Sequence, residues 1–310
     1  MSVYPADRVT LREVGLRDGL QLAKALPSTE AKRAWLAAEA KAGVRHFEVG
    51  SFLPAARFPQ FADVDEMIAA AEALDVHSAA LTLNERGAEA AIRTDVREMV
   101  CVVSATEEHS QANARRSRDE AVALVGRVVA MRDAEAPGKL VNAGLAMALG
   151  CSLAGAVDPD EVLRLAGACL EAGADIVGIA DTVGFAGPRA VGRLCAGMTR
   201  LCGDRPYIIH LHDTRGMGVA NAAAALDNGA RVIDASLGGL GGCPFAPGAT
   251  GNVVFEDIVF LAESMGFATG IDLEALREAR AIAEGAMPGE VFHGAMHRAG
   301  PPPNMPWRAN

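Results

Sequence analysis

The chain has 310 residues, half of them hydrophobic, and carries 29 basic against 39 acidic side chains, which gives a formal net charge of −10. This length fits either two ordinary domains or one large α/β barrel of about 250 residues. The acidic balance argues against binding to nucleic acid or to an anionic membrane, although a few local arginines can still bind an anionic small molecule.

The first residues and the cysteines indicate the compartment. MSVYPADRVT contains neither a basic nor an apolar segment, so we expect no secretory signal, and no apolar run reaches the roughly 18 residues of a membrane span. The six cysteines form no CxxC pair, and five of them lie in apolar strand or helix patterns typical of buried free thiols. We therefore expect a cytoplasmic protein without disulfides.

Strand-like and helix-like segments alternate through the first half of the chain. The predicted pairs are VTLREV with STEAKRAWLAAEAKAG, VRHFEVG with FADVDEMIAAAEAL, VHSAALTL with ERGAEAAIR, and EMVCVVSA with RDEAVALVGRVVAMRDA. The segment TEEHSQANARRSRDEA, which joins the last strand to its helix, is predicted as a loop. Each pair has the length and periodicity of one strand followed by one helix.

The second half repeats this order with LVNAGLAMA and DPDEVLRLAGACLEAG, ADIVGIAD and PRAVGRLCAGMTRLC, YIIHLHD and VANAAAALDNGA, and RVIDASLG and NVVFEDIVFLAESMG. A weak repeat places a helix-ending glycine just before a strand in KAGVRHFEVG, EAGADIVGIAD and DNGARVIDAS. Eight alternations with short connections predict a (β/α)8 TIM barrel over residues 1–270, rather than an open sheet. Residues 271–310 are predicted to form a C-terminal helix and a proline-rich tail packed on the barrel.

Functional residues of such a barrel are expected at the C-terminal ends of the strands. His210 and His212 end the seventh strand and, being two residues apart, point to the same face. A divalent cation bound by both neutral rings suits this pair, whereas the alternative is two core histidines bonded to the backbone. The isolated His46, His77 and His109 are not expected to bind a metal.

The first strand ends in REVGLRDGLQ, which places Arg17 and Asp18 on the same rim. Asp18 is suited to be a third metal ligand, because a carboxylate is a hard oxygen donor that balances part of the charge of a dication. Arg17 keeps its proton and can therefore stabilise an oxyanion beside the metal. Asp-Gly alone is also a common turn.

Three further polar side chains are expected on this rim. Glu48 ends the second strand and Asp181 the sixth, although Glu48 could equally be the partner of a buried ion pair. Asn252 could donate its carbonyl oxygen to the metal or serve as the N-cap of the following helix. Two histidines, one aspartate and one asparagine leave octahedral positions open, which favours Mg²⁺ or Mn²⁺, with Zn²⁺ or Co²⁺ able to substitute.

The stretch GLGGCPFAPGATGN, from Gly239 to Asn252, is predicted to be a loop over the barrel mouth because glycine and proline disfavour helix and strand. Cys243 in this loop lacks the apolar periodic context of a buried thiol. Since an ordinary thiol has a pKa of about 8.5, Cys243 could donate or accept a proton in the site as the loop moves. A nucleophilic role is the alternative.

RDGLQ, HLHDT and GLGGCPFAPGATGN together resemble the hydroxymethylglutaryl-CoA (HMG-CoA) lyase family, part of a larger group of metal-dependent barrel lyases and condensing enzymes. The likeness extends from LREVGLRDGLQ to TGIDLEAL. The resemblance implies a homodimer that binds an acyl-CoA substrate. The implied metal ligands are Asp18, His210, His212 and Asn252; the implied catalytic residues are Arg17, Cys243, Glu48 and Asp181. The substrate-binding candidates are Arg17, Gln21, Ser51, Arg115 and Arg116, the last two for CoA phosphates.

The activity implied by the resemblance is a retro-Claisen cleavage of HMG-CoA to acetyl-CoA and a keto acid, without a redox cofactor. Arg17 would stabilise the enolate and Cys243 would protonate its carbon. The chain departs from the family pattern at Leu16, where many members have proline, and in GCSLAG after the fifth strand. These changes affect the substrate pocket, so another branched 3-hydroxyacyl-CoA, such as a citramalyl-CoA, is an alternative substrate.

Three other functions are alternatives for this sequence. A condensing synthase of the isopropylmalate or homocitrate type typically has glutamate where this chain has Leu20, and a longer region after the barrel. An inactive scaffold barrel would have no reason to keep all four expected ligands. His293 and His297 in HGAMH have the spacing of a zincin-like zinc site but lack the glutamate that would act as base.

Overall fold

The computed structural model describes residues 3–242 and 251–308. Eight parallel strands form a closed barrel in which each strand pairs with its neighbours in the chain and β8 pairs with β1. The strands are Thr10–Glu13 (β1), His46–Ser51 (β2), His77–Leu81 (β3), Glu98–Ser104 (β4), Leu140–Ala146 (β5), Ile176–Asp181 (β6), Tyr207–Leu211 (β7) and Val232–Ala235 (β8). The predicted TIM barrel is therefore confirmed.

Helices surround this barrel and bury its outer face. They are Thr29–Lys41 (α1), Val64–Ala73 (α2), Glu85–Ile92 (α3), Glu107–Ala114 (α4), Arg118–Glu135 (α5), Pro159–Glu171 (α6), Pro188–Cys202 (α7), Gly218–Asp227 (α8), Phe255–Ser264 (α9), Leu276–Ala286 (α10) and Ala295–Ala299 (α11). Among the residues described, none of these helices has both the length and the apolar character needed to cross a bilayer. α10 packs against α1, and α11 packs against α9.

Glycines end three of the helices in the left-handed conformation that side chains disfavour. Gly43, Gly173 and Gly229 follow α1, α6 and α8 with φ values of 102°, 97° and 96°. A Cβ atom at Gly43 would lie only 2.3 Å from a backbone oxygen of Gly270. These glycines turn the chain from each helix directly into the next buried strand.

Two local structures depart from the predicted pattern of strand, loop and α-helix. The segment between β4 and α5, predicted as a loop, contains the helix α4, whose N-cap is Thr106 accepting a hydrogen bond from the amide of His109. That prediction was wrong because the threonine cap supports a helix with little apolar periodicity. After β1, Gly15–Gly19 forms a single π-helical turn, a structure frequent at functional sites.

The N-terminal end of the barrel is closed by side chains. Tyr4 packs there with an apolar cluster of Ile176, Ile208 and Val232. Its hydroxyl donates a hydrogen bond of 2.7 Å to Oε2 of the fully buried Glu98. Access to the barrel interior is therefore from the opposite end, where the strands have their carboxyl termini.

The cysteines of the described residues are buried and free, as the sequence predicts. Burial raises the pKa of Cys101 to about 11 and those of Cys169 and Cys195 to about 12. At neutral pH these thiols are protonated and serve as small apolar core groups.

We predict that Tyr4→Phe lowers the free energy of unfolding by roughly 1.5–3 kcal/mol, because it removes a hydrogen bond to a buried carboxylate. Tyr207→Phe is the matched control, since the Tyr207 hydroxyl donates to the neutral carbonyl of Cys195 at 3.2 Å. Urea denaturation followed by circular dichroism measures both values. An equal or smaller loss for Tyr4→Phe would contradict the assignment of this bond to a charged acceptor.

Candidate active site

Barrel closure brings Asp18, His210 and His212 together at the mouth. Oδ2 of Asp18 lies 3.8 Å from Nε2 of His210 and 3.6 Å from Nε2 of His212, and the two Nε2 atoms are 3.1 Å apart. Among the described residues, these three form the one group of His, Cys, Asp or Glu side chains whose donor atoms could share a metal ion. Their ligand atoms therefore surround a common point.

The spacing of these three atoms fits a divalent cation. An octahedral ion with bonds of about 2.1 Å places adjacent ligands about 3.0 Å apart and opposite ligands about 4.2 Å apart. The observed separations of 3.1, 3.6 and 3.8 Å lie within that range. Two imidazoles and one carboxylate form a set that accepts magnesium, manganese or zinc. The side chains therefore pass the geometric test for a metal site.

Asn252 lies beside the three candidate ligands. An isolated antiparallel bridge pairs it with His212, and its Nδ2 donates to Oδ2 of Asp18 at 2.9 Å and to the carbonyl of Leu240 at 3.0 Å. Oδ1 of this amide is buried and has no hydrogen-bond partner among the described residues. Rotation of the amide by half a turn exchanges these two atoms and directs the oxygen toward Asp18. The helix α9 begins only at Phe255, with Val254 as its N-cap, so Asn252 is not the cap.

The ionisation of the triad is set by its neighbours. Burial alone would raise the pKa of Asp18, but the charge of Arg17 and the contacts with His212 and His210 hold that pKa well below its usual range. Burial lowers the pKa of His210, and the hydrogen bond to Asp234 with the charge of Asp18 outweighs this and raises it. The mouth therefore holds an ionised carboxylate that attracts a cation.

Arg17 is held between two carboxylates. Its Nη1 donates to Oδ1 of Asp18 at 2.7 Å and to Oε1 of Gln21 at 3.1 Å, and its Nε lies 2.8 Å from Oε2 of Glu48. Burial of Glu48 raises the pKa of its carboxyl, while the charges of Arg17 and Arg12 oppose that shift. One cavity is lined by Arg17, Asp18, Gln21 and Glu48. The structure thus brings Arg17, Glu48 and Gln21 to the triad.

Two of the sequence candidates lie just outside the cavity wall. Asp181 is fully buried, and its two carboxylate oxygens accept hydrogen bonds from the amides of Phe185 and Ala186 at 2.8 and 3.1 Å. The carboxylate therefore shapes the β6–α7 loop, whose first residue, Thr182, does line the cavity. Ser51 is also buried, and its hydroxyl contacts the carbonyl of Leu81 at 3.5 Å.

The two arginines proposed for CoA phosphates differ in their surroundings. Arg115 is the exposed C-cap of α4, with a φ of 55°. Arg116 donates from Nη1 to the carbonyl of Leu83 at 3.1 Å, next to the rim. Neither guanidinium lines the cavity, whereas His109 and Asn113 of the same helix do. Of the two, Arg115 has the side chain that is exposed for a phosphate.

Two further residues, Asp234 and His109, contribute to this site without having been predicted from the sequence. Asp234, on β8, accepts a hydrogen bond at Oδ2 from Nδ1 of His210, 3.2 Å away, and so orients the ring whose other nitrogen faces the triad. His109 is buried and outside the metal-ligand group, as expected, and it also lines the rim, where its Nδ1 lies 2.7 Å from the hydroxyl of Ser104. Asp234 lies near the C-terminal end of β8, as Glu48 and Asp181 do on their own strands. This position is the sequence signal that could have identified it.

Two other sequence candidates remain, the loop thiol and the zincin-like histidine pair. Cys243 lies outside the described residues. His293 precedes α11, which begins at Ala295, so it does not share a helix face with His297. The zincin-like spacing therefore forms no helical pair.

The cavity at this mouth has a volume of about 360 Å³ and combines the triad with apolar walls. The residues and the fold together invite comparison with known proteins. The family model described as HMGL-like matches residues 8–282. The chain belongs to the HMGL-like family. The family predicted from the three sequence motifs is therefore confirmed.

Relatives in this family span nearly the whole chain. The HMG-CoA lyase of Pseudomonas mevalonii is 37% identical over 271 residues, which cover 87% of this chain and 89% of that protein. The (R)-citramalyl-CoA lyase of Chloroflexus aurantiacus is 35% identical over 281 residues, or 87% and 88% of the two chains. An HMG-CoA lyase structure from Acinetobacter baumannii, in complex with coenzyme A and 3-methylmalate, superposes with a TM-score of 0.87 at 31% identity, covering 97% and 98%.

We predict that Asp234→Asn weakens Mn²⁺ binding by about 10–100-fold, because the amide removes the negative charge that orients and polarises His210. Isothermal titration of the metal-free protein with MnCl₂ measures the effect. Asp272→Asn is the control, since Asp272 lies at the surface with 58% of its side chain exposed. Equal affinity in the Asp234 variant and the parent would remove Asp234 from the metal site.

Proposed function

We propose that this protein is a divalent-metal-dependent acyl-CoA lyase that cleaves HMG-CoA, or a similarly branched 3-hydroxyacyl-CoA, to acetyl-CoA and a keto acid. The observation that carries the proposal is the meeting of Asp18, His210 and His212 at the barrel mouth beside the charged Arg17. An enzyme of the carbon–carbon lyase class needs both features, one to acidify an alcohol and one to stabilise an enolate.

Asp18, His210 and His212 would hold the cation, with the carbonyl of Asn252 as a further ligand. Mg²⁺ or Mn²⁺ suits this mixed set, and Zn²⁺ or Co²⁺ can substitute. The bound cation would supply Lewis-acid chemistry, since it lowers the pKa of the substrate's tertiary hydroxyl. Asp234 would fix the His210 ring so that Nε2 presents its lone pair to the ion.

Arg17 would stabilise the charge that develops during cleavage. Loss of the hydroxyl proton forms a keto group as the neighbouring C–C bond breaks, and the bonding electrons pass to the acetyl-CoA enolate. Oε2 of Glu48 lies 2.8 Å from Nε of Arg17, so the guanidinium would be oriented before the substrate binds. The hydroxyl proton would pass to water, Cys243 would donate a proton to the enolate carbon, and the resulting thiolate would regain a proton from water, so that the protons balance.

The CoA moiety would lie over the rim. The Acinetobacter structure holds coenzyme A in a related barrel, which supports an acyl-CoA substrate for this chain. We assign the phosphates to Arg115, which is exposed at the end of α4, and the neighbouring Arg116. Ser51 and Gln21 would support the acyl end of the site. We further propose a cytoplasmic homodimer, which rests on the family resemblance, and gel filtration with light scattering tests the dimer.

A second substrate, (R)-citramalyl-CoA, is favoured by the relative that carries that activity in its name and is 35% identical to this chain. The same residues would perform the same bond cleavage on it. A condensing synthase differs from both lyase activities in its product, because it releases free CoA thiol from acetyl-CoA and a 2-oxo acid.

The proposed activity predicts that the purified protein with Mg²⁺ or Mn²⁺ forms acetyl-CoA from HMG-CoA or citramalyl-CoA. Chelation with EDTA should abolish this activity, and added metal should restore it, because the hydroxyl must be acidified. Coupling acetyl-CoA release to citrate synthase measures the rate for both thioesters. If neither thioester yields acetyl-CoA, and free thiol forms from acetyl-CoA and 2-oxo acids, the protein is instead a synthase.

Cys243→Ser should lower kcat by two or more orders of magnitude, because a hydroxyl is a far weaker acid than a thiol near neutral pH. Mn²⁺ affinity and thermal stability should remain at the parent values. Cys202→Ser is the control, since Cys202 is buried in α7 away from the mouth. A near-parent rate in the Cys243 variant would assign the loop thiol a structural role.

A further inference from the structure

The barrel interior below the metal site is partly hollow. TIM barrels usually fill this space with layers of valine, isoleucine and leucine side chains. Here the cavity continues inward along three adjacent strands, and residues two apart on each strand line it: Asn142, Gly144 and Ala146 on β5, Gly178 and Ala180 on β6 with Thr182 just after it, and Ile208 and His210 on β7. Four of these residues have no side chain beyond Cβ.

Two glycines stand side by side in this wall. Gly144 on β5 pairs in register with Gly178 on β6. Neither has a positive φ, and a Cβ would meet its nearest neighbour at 3.7 Å for Gly144 and 3.5 Å for Gly178, an ordinary contact. The backbone therefore does not require glycine at either position. Because glycine weakens a strand, the two residues are explained by the space they leave in front of them.

The floor of the hollow is polar. Arg12 lies there with Nη1 at 3.1 Å from Oε1 of Glu98 and Nε at 3.3 Å from Oδ1 of Asp234, so its charge is compensated. Asn142 donates from Nδ2 to Glu98 at 2.8 Å. Its Oδ1 has no hydrogen-bond partner among the described residues, and the side chain is only 3% exposed. The floor thus offers a hydrogen-bond acceptor, Oδ1 of Asn142, and the guanidinium of Arg12, whose charge is already compensated.

The hollow lies on the inner side of the candidate triad. Ile208 precedes His210 by two residues, which places it about 6.6 Å deeper along β7. The CoA arm of a bound thioester is too large for the interior and must leave through the mouth. Another arm of the carbinol carbon can therefore point inward, between the glycines and toward Asn142. Leu81, Val100 and Val102 make the rest of that path apolar.

We propose that the hollow selects a substrate whose carbinol carbon carries an aliphatic arm of about three carbons ending in a hydroxyl group, in place of a methyl group. The inference rests on the proposed lyase function and defines the substrate class of the same site. A terminal hydroxyl donates to Oδ1 of Asn142 and can accept from Arg12. The arm fills the space in front of Gly144 and Gly178.

The test uses three CoA monothioesters of 3-hydroxyglutarate that carry methyl, propyl or 3-hydroxypropyl at C3. With the Mn²⁺-loaded protein, kcat/KM for the 3-hydroxypropyl thioester should exceed that for the methyl thioester by about tenfold or more. It should also exceed the value for the propyl thioester, because an alkyl end leaves the polar floor without a partner. Equal or lower values for the 3-hydroxypropyl thioester would overturn the proposal.

Variants locate the effect in the hollow. Gly178→Val and Gly144→Val should lower kcat/KM for the 3-hydroxypropyl thioester by at least tenfold more than they lower it for the methyl thioester. The milder Gly→Ala changes should rank the losses in kcat/KM for the thioesters in the same order, with smaller losses. Gly285→Val on α10, where a Cβ meets nothing within 4 Å, is the control. Equal losses for all three thioesters would contradict the proposal.

Asn142→Leu tests the floor separately. It should reverse the preference between the propyl and 3-hydroxypropyl thioesters, while Glu98 keeps its bonds from Tyr4, Arg12 and His77. Retention of the hydroxyl preference in this variant would remove Asn142 from the proposed contact. Unchanged Mn²⁺ affinity shows that each variant is folded.

Binding distinguishes this inference from the proposed function. Isothermal titration of the Mn²⁺-loaded protein with the three free 3-substituted 3-hydroxyglutarates needs no turnover. If no thioester is cleaved, the lyase proposal fails. The pocket inference still holds if the 3-hydroxypropyl diacid binds about tenfold more tightly than the methyl diacid and Gly178→Val abolishes the difference. Affinities that do not depend on the arm would overturn the inference whether or not cleavage occurs.

Discussion

The ion pair between Arg17 and Asp18, at 2.7 Å, is the interaction on which the mouth of the barrel depends. Burial by itself raises the pKa of the Asp18 carboxyl, and a protonated Asp18 could not attract a cation. The guanidinium keeps it ionised, and Glu48 in turn compensates the arginine. The same three groups therefore include the proposed metal ligand Asp18 and Arg17, the residue proposed to stabilise the enolate.

The polar groups continue from this mouth into the barrel. Asp234 contacts both His210 and Arg12, and Arg12 reaches Glu98 at the far end of the interior. Tyr4 closes that end with its hydrogen bond to Glu98. Buried charges of opposite sign thus alternate along the barrel axis, and each has a partner. This chain of contacts holds His210, a proposed metal ligand, in place, and the glycines of β5 and β6 leave open space beside it.

Much of this arrangement could be predicted from the sequence, because it depends on local patterns. Strand and helix periodicity with helix-ending glycines predicted the barrel, and the His-x-His spacing with the RDG turn predicted a metal site at its mouth. The helix α4 could not be predicted, since its mixed polar sequence has almost no apolar periodicity. The strand-end position of Asp234 marked it as a candidate for the rim, but its contact with His210 follows only from the pairing of β7 with β8.

By itself, the sequence determined the order of the elements, the strand ends where polar side chains stand, and the family to which the chain belongs. Only the tertiary structure decided which of those side chains meet. Asp18 and His212 are nearly two hundred residues apart in the chain, and pairing of β8 with β1 closes the barrel and brings them within 3.6 Å. The hollow has the same origin, because a glycine in a strand becomes cavity wall only when the sheet curves around it.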